Sequence, residues 1–153
     1  MKYLIAMFAL LAPVGTAMAN QVSLDSEVFV ERSAEAADGS VTVTLEEPSR
    51  VVPGDNLVFV LSYENTGAEP ADNFVVTNPM PEAVVFVEAI DGGAVYSVDG
   101  GENFGPLTEL RVASEGGVDR AAQPVDVTHI RWTLTEPIAA GGSGQLRFRG
   151  VVR

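Results

Sequence analysis

Leu57-Val58-Phe59-Val60-Leu61-Ser62-Tyr63 decides the fold class. In an extended chain Leu57, Phe59, Leu61 and Tyr63 fall on one face and Val58, Val60 and Ser62 on the other, so the first set is expected to line a core. The same period-two pattern recurs outward from this stretch, at Val22 to Val30, Val41 to Leu45, Phe74 to Thr77, Val84 to Ile90, Val95 to Val98, Leu107 to Val112, Val127 to Leu134 and Gln145 to Val152. In Val127 to Leu134 the alternation sends Ile130, Trp132 and Leu134 inward and leaves His129, Arg131 and Thr133 outward. Glycine or proline punctuates the chain about every ten residues, and no stretch has helical periodicity. An antiparallel all-β sandwich of seven to eight strands with immunoglobulin-like character is the expected fold, with a small barrel as the alternative.

The connections carry turn chemistry. In Pro53-Gly54-Asp55 proline presets φ, glycine accepts positive φ, and the aspartate can hydrogen-bond nearby amides. Asn65-Thr66-Gly67 closes the next strand in the same way. Asn78-Pro79-Met80-Pro81 reads as a loop, because neither proline can donate to a ladder. Ser33 to Ser40 is small and acidic and reads as a flexible link after an N-terminal strand. At Glu27-Val28-Phe29-Val30 two apolar phases overlap, so Phe29 is either an exposed docking strip or part of a strand buried on both faces.

Met1-Lys2-Tyr3 precedes the apolar run Leu4 to Leu11, and Ala17-Met18-Ala19 follows, the pattern of a secretory signal peptide cleaved before Asn20. Pro13 and Gly15 interrupt the run well short of the roughly 20 residues that a membrane-spanning helix needs. The organisation expected is therefore a signal over 1–19, an N-terminal strand and acidic link over 20–40, and the sandwich domain over 41–153. Removing 19 of the 153 residues leaves 134, one domain's worth. The product is expected to be exported, to the periplasm or the cell surface, with no membrane insertion once the signal is gone.

The chain has no cysteine, which excludes disulfides, thiol catalysis and thiolate metal sites. Its single lysine is Lys2, so residues 20–153 carry eight Arg against 21 Asp and Glu, a formal charge of −13. That charge repels polyanions and argues against nucleic acid and bare anionic lipid as partners. Acyl-transfer chemistry needs a nucleophile, a base and an orienting group together. His129, the one candidate base, is expected on an outward face beside Arg131, where a second positive charge is opposed. Lysine chemistry is excluded from the mature chain. Paired carboxylates would need a cleft that short connections give little room to build. The Asp91-Gly92-Gly93 and Asp99-Gly100-Gly101-Glu102-Asn103 turns offer hard oxygen ligands, which makes calcium or an envelope polysaccharide the alternative ligand class. No catalytic, metal or cofactor residue is assigned from the sequence.

The order Val52-Pro53-Gly54-Asp55-Asn56-Leu57-Val58-Phe59, Tyr63-Glu64-Asn65-Thr66-Gly67, Val75-Val76-Thr77-Asn78-Pro79-Met80-Pro81, then Trp132 before Ala140-Gly141-Gly142 and Leu146-Arg147-Phe148, resembles a bacterial conserved-repeat domain, eleventh in the domain-of-unknown-function series. The likeness spans roughly residues 41–153. It implies an immunoglobulin-type sandwich of exported surface proteins, often repeated in tandem. This chain holds one copy, so a stalk role would need subunits joined edge to edge. Ser97-Val98-Asp99-Gly100-Gly101-Glu102-Asn103-Phe104 is similar to the Asp-box hairpin, with Asn103 and Phe104 in place of its final Thr and Trp. That likeness implies a folding role for Asp99, Gly101 and Phe104. A non-catalytic module working by contact with envelope or surface proteins is the function expected, with the C-terminal segment Leu146 to Arg153 as the edge that pairs with a neighbour.

Overall fold

A computed structural model describes residues 22–113 and 116–153. The expected signal peptide over 1–19 lies outside the described residues. Ten strands follow in order: β1 (Val22–Glu35), β2 (Val41–Glu46), β3 (Asn56–Asn65), β4 (Phe74–Pro79), β5 (Val84–Ala89), β6 (Ala94–Ser97), β7 (Arg111–Val112), β8 (Arg120–Ala121), β9 (His129–Leu134) and β10 (Ser143–Val152). One sheet has the order β2-β1-β3-β10-β5 and a second has β4-β9-β6, while β7 and β8 form a separate ribbon. Every pairing is antiparallel. The two large sheets pack face to face and no strand pairing joins them, so the fold is an all-β sandwich and the barrel alternative falls.

The core is the seam between the sheets. Phe59 and Phe148, neighbours across β3 and β10, stack with ring centroids 4.5 Å apart and planes within 2°. Ile130 and Trp132 reach up from β9, and the Trp132 indole N–H donates to the Asp91 carbonyl at 3.3 Å. Three ring contacts fix which strands oppose each other: Tyr63 of β3 with Phe74 of β4, Phe148 of β10 with Trp132 of β9, and Phe86 of β5 with Tyr96 of β6. Among the described residues β1 and β2 have no strand opposite them in the three-stranded layer, although β1 still sends Val30 into the core. The larger sheet overhangs the smaller one on that side.

Two glycines in β10 mark close approaches. Tyr63 lies over Gly144, its cross-strand partner, where any Cβ would collide with the phenol ring. Gly150 faces Val84 and the Val85 carbonyl where β10 shifts register against β5, and a Cβ there would collide with the Val84 side chain. Aromatic cover of a strand glycine and a bulge at a crowded crossing are common devices for curving a sheet.

Several sequence expectations need correction. Ser33 to Ser40 is not a flexible link: Ser33 to Glu35 continue β1 in register with Val41 to Val43, and Ala36 and Gly39 close the turn by backbone hydrogen bonds. The hairpin ladder supplies the partners that the small acidic side chains could not. Asn78-Pro79 is strand rather than loop, because β4 is an edge strand where a missing N–H costs no ladder bond. Leu107 to Val112 contributes only Arg111–Val112 to a ladder. Val58 and Val60, assigned to the outward face, are buried along with Leu57, Phe59 and Leu61. Their cross-strand neighbours on that face are Phe29 and Arg149 beside Val58, and Glu27 and Arg147 beside Val60, and long side chains can cover apolar surface with their stems. Phe29 itself is half-buried on that outer face, midway between its two sequence readings.

Candidate functional site

In the two acidic turns, the ligand candidates of the sequence, the aspartates are held by hydrogen bonds. Ser97 is buried at the end of β6; its hydroxyl donates to Asp99 Oδ1 at 2.6 Å and accepts the Gly101 N–H at 2.9 Å. Asp99 also accepts the N–H groups of Glu102 and Asn103 and the Asn103 side-chain amide. Gly100 and Gly101 both take positive φ, +82° and +93°, which lets four residues close so tightly on one carboxylate. These bonds, led by the Ser97 hydroxyl, hold the Asp99 carboxyl well below the usual carboxylate range. The hairpin therefore does what the Asp-box likeness implies: its aspartate serves the turn.

Asp91, in the other acidic turn, makes two hydrogen bonds with the Arg147 guanidinium, at 3.0 and 3.1 Å, and this ion pair lowers its pKa. Among the described residues no three His, Asp or Glu side chains converge as a metal site would require. A cleft of about 440 Å³ lies between Tyr63, Leu134, Pro137, Ile138 and Ser143, and Glu136 is the one acid in its lining.

His129 stands differently from its sequence reading. The Asp-box hairpin folds back over it, placing Gly101 where a Cβ would sit 3.4 Å from the imidazole ring, so His129 is half-buried rather than open to solvent. Beside it Arg131 donates to Thr77 Oγ1 at 2.9 Å and its guanidinium lies 3.5 Å from the centre of the Phe104 ring. This outer face of β9 is an arginine–aromatic clasp that anchors the long connection after β6. The imidazole Nδ1 lies 3.2 Å from Thr128 Oγ1, a hydroxyl that itself donates to the Ser97 carbonyl and accepts the Gly100 N–H, both at 3.1 Å.

The arginines on the larger sheet are used in the same structural way. Arg149 bridges Glu31 and Glu88 at 2.9 and 2.5 Å across β1, β10 and β5, and Arg32 pairs with Asp55 at 2.7 Å. Arg120 forms a two-armed pair with Asp126. Cross-strand rows of opposite charge stabilise a sheet face, and they leave the remaining acids in excess.

What stays open is the overhang. No family model, curated protein or solved structure matches the chain. The surface must therefore be read from its own chemistry. Past the edge of β3, β1 and β2 run on as a two-stranded arm on which Val41, Val43 and Leu45 share one face and are 63%, 52% and 49% exposed. Nearer the core, Leu24 of β1 is 47% exposed on the side that faces the smaller sheet, because that sheet has no strand opposite it. The alternation at Val41 to Leu45 was visible in the sequence; its exposure was not. Period two says which side chains share a face but not whether anything covers that face.

The carboxylate network sets an acid sensitivity. Asp55, Asp91, Asp99 and Asp126 all have folded-state pKa values below the ordinary 3.8. The unfolded chain therefore binds protons first as pH falls, and the stability these groups contribute is complete above about pH 4 and is lost as pH drops through the folded-state values. Equilibrium urea unfolding at pH 2 to 7 should show a steady loss below pH 4, and Asp99→Asn should flatten that slope while lowering stability at pH 7. An unchanged slope in Asp99→Asn would contradict the hydrogen-bonding assigned to the turn.

Proposed function

We propose that this chain is an exported, non-catalytic module of the bacterial envelope, an immunoglobulin-like sandwich related to the conserved-repeat domains of surface proteins, that works by contact with other proteins. One observation carries the reading: the β1–β2 arm presents Val41, Val43 and Leu45 as a continuous exposed apolar row on regular hydrogen-bonded backbone. Apolar side chains held rigidly in a row and left uncovered mark contact surfaces in soluble proteins. The calcium alternative is weaker, since the Asp99 and Asp91 oxygens already serve backbone amides and Arg147. The contact edge expected at Leu146 to Arg153 is corrected: β10 lies between β3 and β5 with both edges occupied, and Phe148 is fully buried. The contact is assigned to the overhang instead.

The test replaces Val41, Val43 and Leu45 by threonine, which keeps β-propensity and removes apolar area. Exposed substitutions of this kind change stability by about 0.5 kcal/mol or less each. Full-length native chain should co-purify defined proteins from envelope fractions, and the triple variant should lose them at unchanged melting temperature. Recovery of the same proteins by the variant, or residence of the chain in the cytoplasm on fractionation, would refute the reading.

A further inference from the structure

We infer that the free edge of β1 at Val22–Phe29 is a docking lane for an extended cationic strand of another protein, with Lys or Arg at alternate positions and apolar residues between them. This rests on the contact reading above and names a place and a partner chemistry within it.

The lane exists because β2 is short. Strand β1 pairs with β3 along Val22 to Glu31, but β2 covers its other edge only from Val30 to Glu35. At Glu47-Pro48 the chain leaves that line, so beside Val22–Phe29 a strand position collinear with β2 is unfilled among the described residues. The backbone there is ready to extend the ladder: its ten pairings with β3 run without a shift in register, and the segment contains no proline or glycine. The opposite edge of the same sheet is different. Strand β5 follows Pro81 and is interrupted where Arg149 pairs with Glu88 and Gly150 with Phe86, which leaves Val87 unpaired. Bulges of that kind blunt an edge against strand addition, and β1 has none.

The side chains define the occupant. Val22, Leu24, Ser26 and Val28 alternate on the inner face, where Leu24 lies open beyond the smaller sheet; Asp25 and Glu27 stand on the outer face in line with Ser62 and Val60. Neither acid has an ion-pair partner among the described residues, since Arg147 and Arg149 are held by Asp91, Glu31 and Glu88. A second copy fits poorly. Antiparallel two-fold pairing centred on this edge sets Asp25 against Asp25, Asp25 against Glu27, or Glu27 against Glu27, depending on register, and directly opposed like charges destabilise a pair. A strand with basic residues outward and apolar residues inward satisfies both rows at once, while main-chain hydrogen bonds supply the ladder.

The probe is a fluorescent octapeptide of alternating Arg and Val, compared with its Glu-Val counterpart and with an Arg-Val peptide N-methylated at alternate amides. Binding to the full-length chain is read by anisotropy, and backbone amide shifts locate it. Saturable binding of the Arg-Val peptide that perturbs residues 22–29 and is at least tenfold weaker for both other peptides is expected. Asp25→Lys/Glu27→Lys, checked for an unchanged melting curve, should weaken Arg-Val binding at least tenfold and bind the Glu-Val peptide instead. Equal binding of the N-methylated peptide would reduce the effect to charge adsorption and overturn the lane, as would shifts confined to other acids or no binding at all. Loss of envelope partners in the arm variant with intact peptide binding leaves the lane standing, whereas failed peptide binding with intact envelope partners refutes the lane alone.

Discussion

Phe148→Ala is expected to lower the free energy of unfolding by about 3–5 kcal/mol, a large share of the 5–15 kcal/mol that holds most domains together. Phe148 has no exposed surface, stacks on Phe59 and meets Trp132 at 6.3 Å, so its removal opens a cavity bounded by two rigid rings in the middle of the seam. Strand β10 is bracketed by β3 and β5 and cannot move in to fill it. Urea unfolding followed through Trp132, the one tryptophan, gives the midpoint directly. The exposed Val43→Ala change serves as the contrast and should cost well under 1 kcal/mol. If both substitutions cost the same, Phe148 does not sit in the seam between the sheets.

Asn65→Asp is the second large effect, and it arises from hydrogen bonding rather than volume. Asn65 is 1% exposed at the end of β3. Its side-chain amide donates to the carbonyls of Glu69 and Ile138, both at 2.8 Å, and its Oδ1 accepts the Gly67 N–H at 3.0 Å. Its backbone bonds Gly141 and Gly142. One residue thus ties the loop after β3 to the connection between β9 and β10. An ionised aspartate is nearly the same shape but has no donor, and it sets a charge against two carbonyl oxygens, the Ile138 one buried. A loss of about 3–4 kcal/mol at neutral pH is expected. Burial against acceptors raises the folded-state pKa of the new carboxyl, and a raised acid pKa makes the folded state the better proton binder. The deficit should therefore shrink as pH falls, opposite in sign to the native chain's loss of stability in acid. Thermal melts of both proteins at pH 4 and pH 7 check this. A deficit that does not change with pH would mean that Asn65 is not donating to those carbonyls.

The local chemistry around Asn65 was legible: Asn-Thr-Gly after an apolar strand is a turn. That the asparagine would be buried and would reach Ile138, 73 residues away, was not, because a side-chain amide makes the same short-range turn whether or not a distant loop folds over it. The Asp-box hairpin is the reverse case. The bonds of its Ser97 hydroxyl and Asp99 carboxylate to Gly101, Glu102 and Asn103 join residues at most four apart, so the spacing of Ser97, Asp99 and Gly101 in the sequence already implied the turn that forms. His129 lies between the two. Alternation placed it correctly on the outer face of β9, yet the hairpin that half-buries it comes from 28 residues upstream, beyond the reach of any periodicity argument.

The sequence alone determined that the chain is all-β, which residues of β3 and β9 share a face, where the main turns fall, and how far acids outnumber bases. Each of these depends on interactions between residues a few positions apart, or on simple counting. Only the tertiary structure decided that β10 is central and that β1 is free along half its length among the described residues, that Val58 and Val60 are buried, and that two strands extend past the smaller sheet. Those outcomes depend on which strands pair and how many stand in each layer. Strand alternation is the same for a central strand and an edge strand, so it cannot report either.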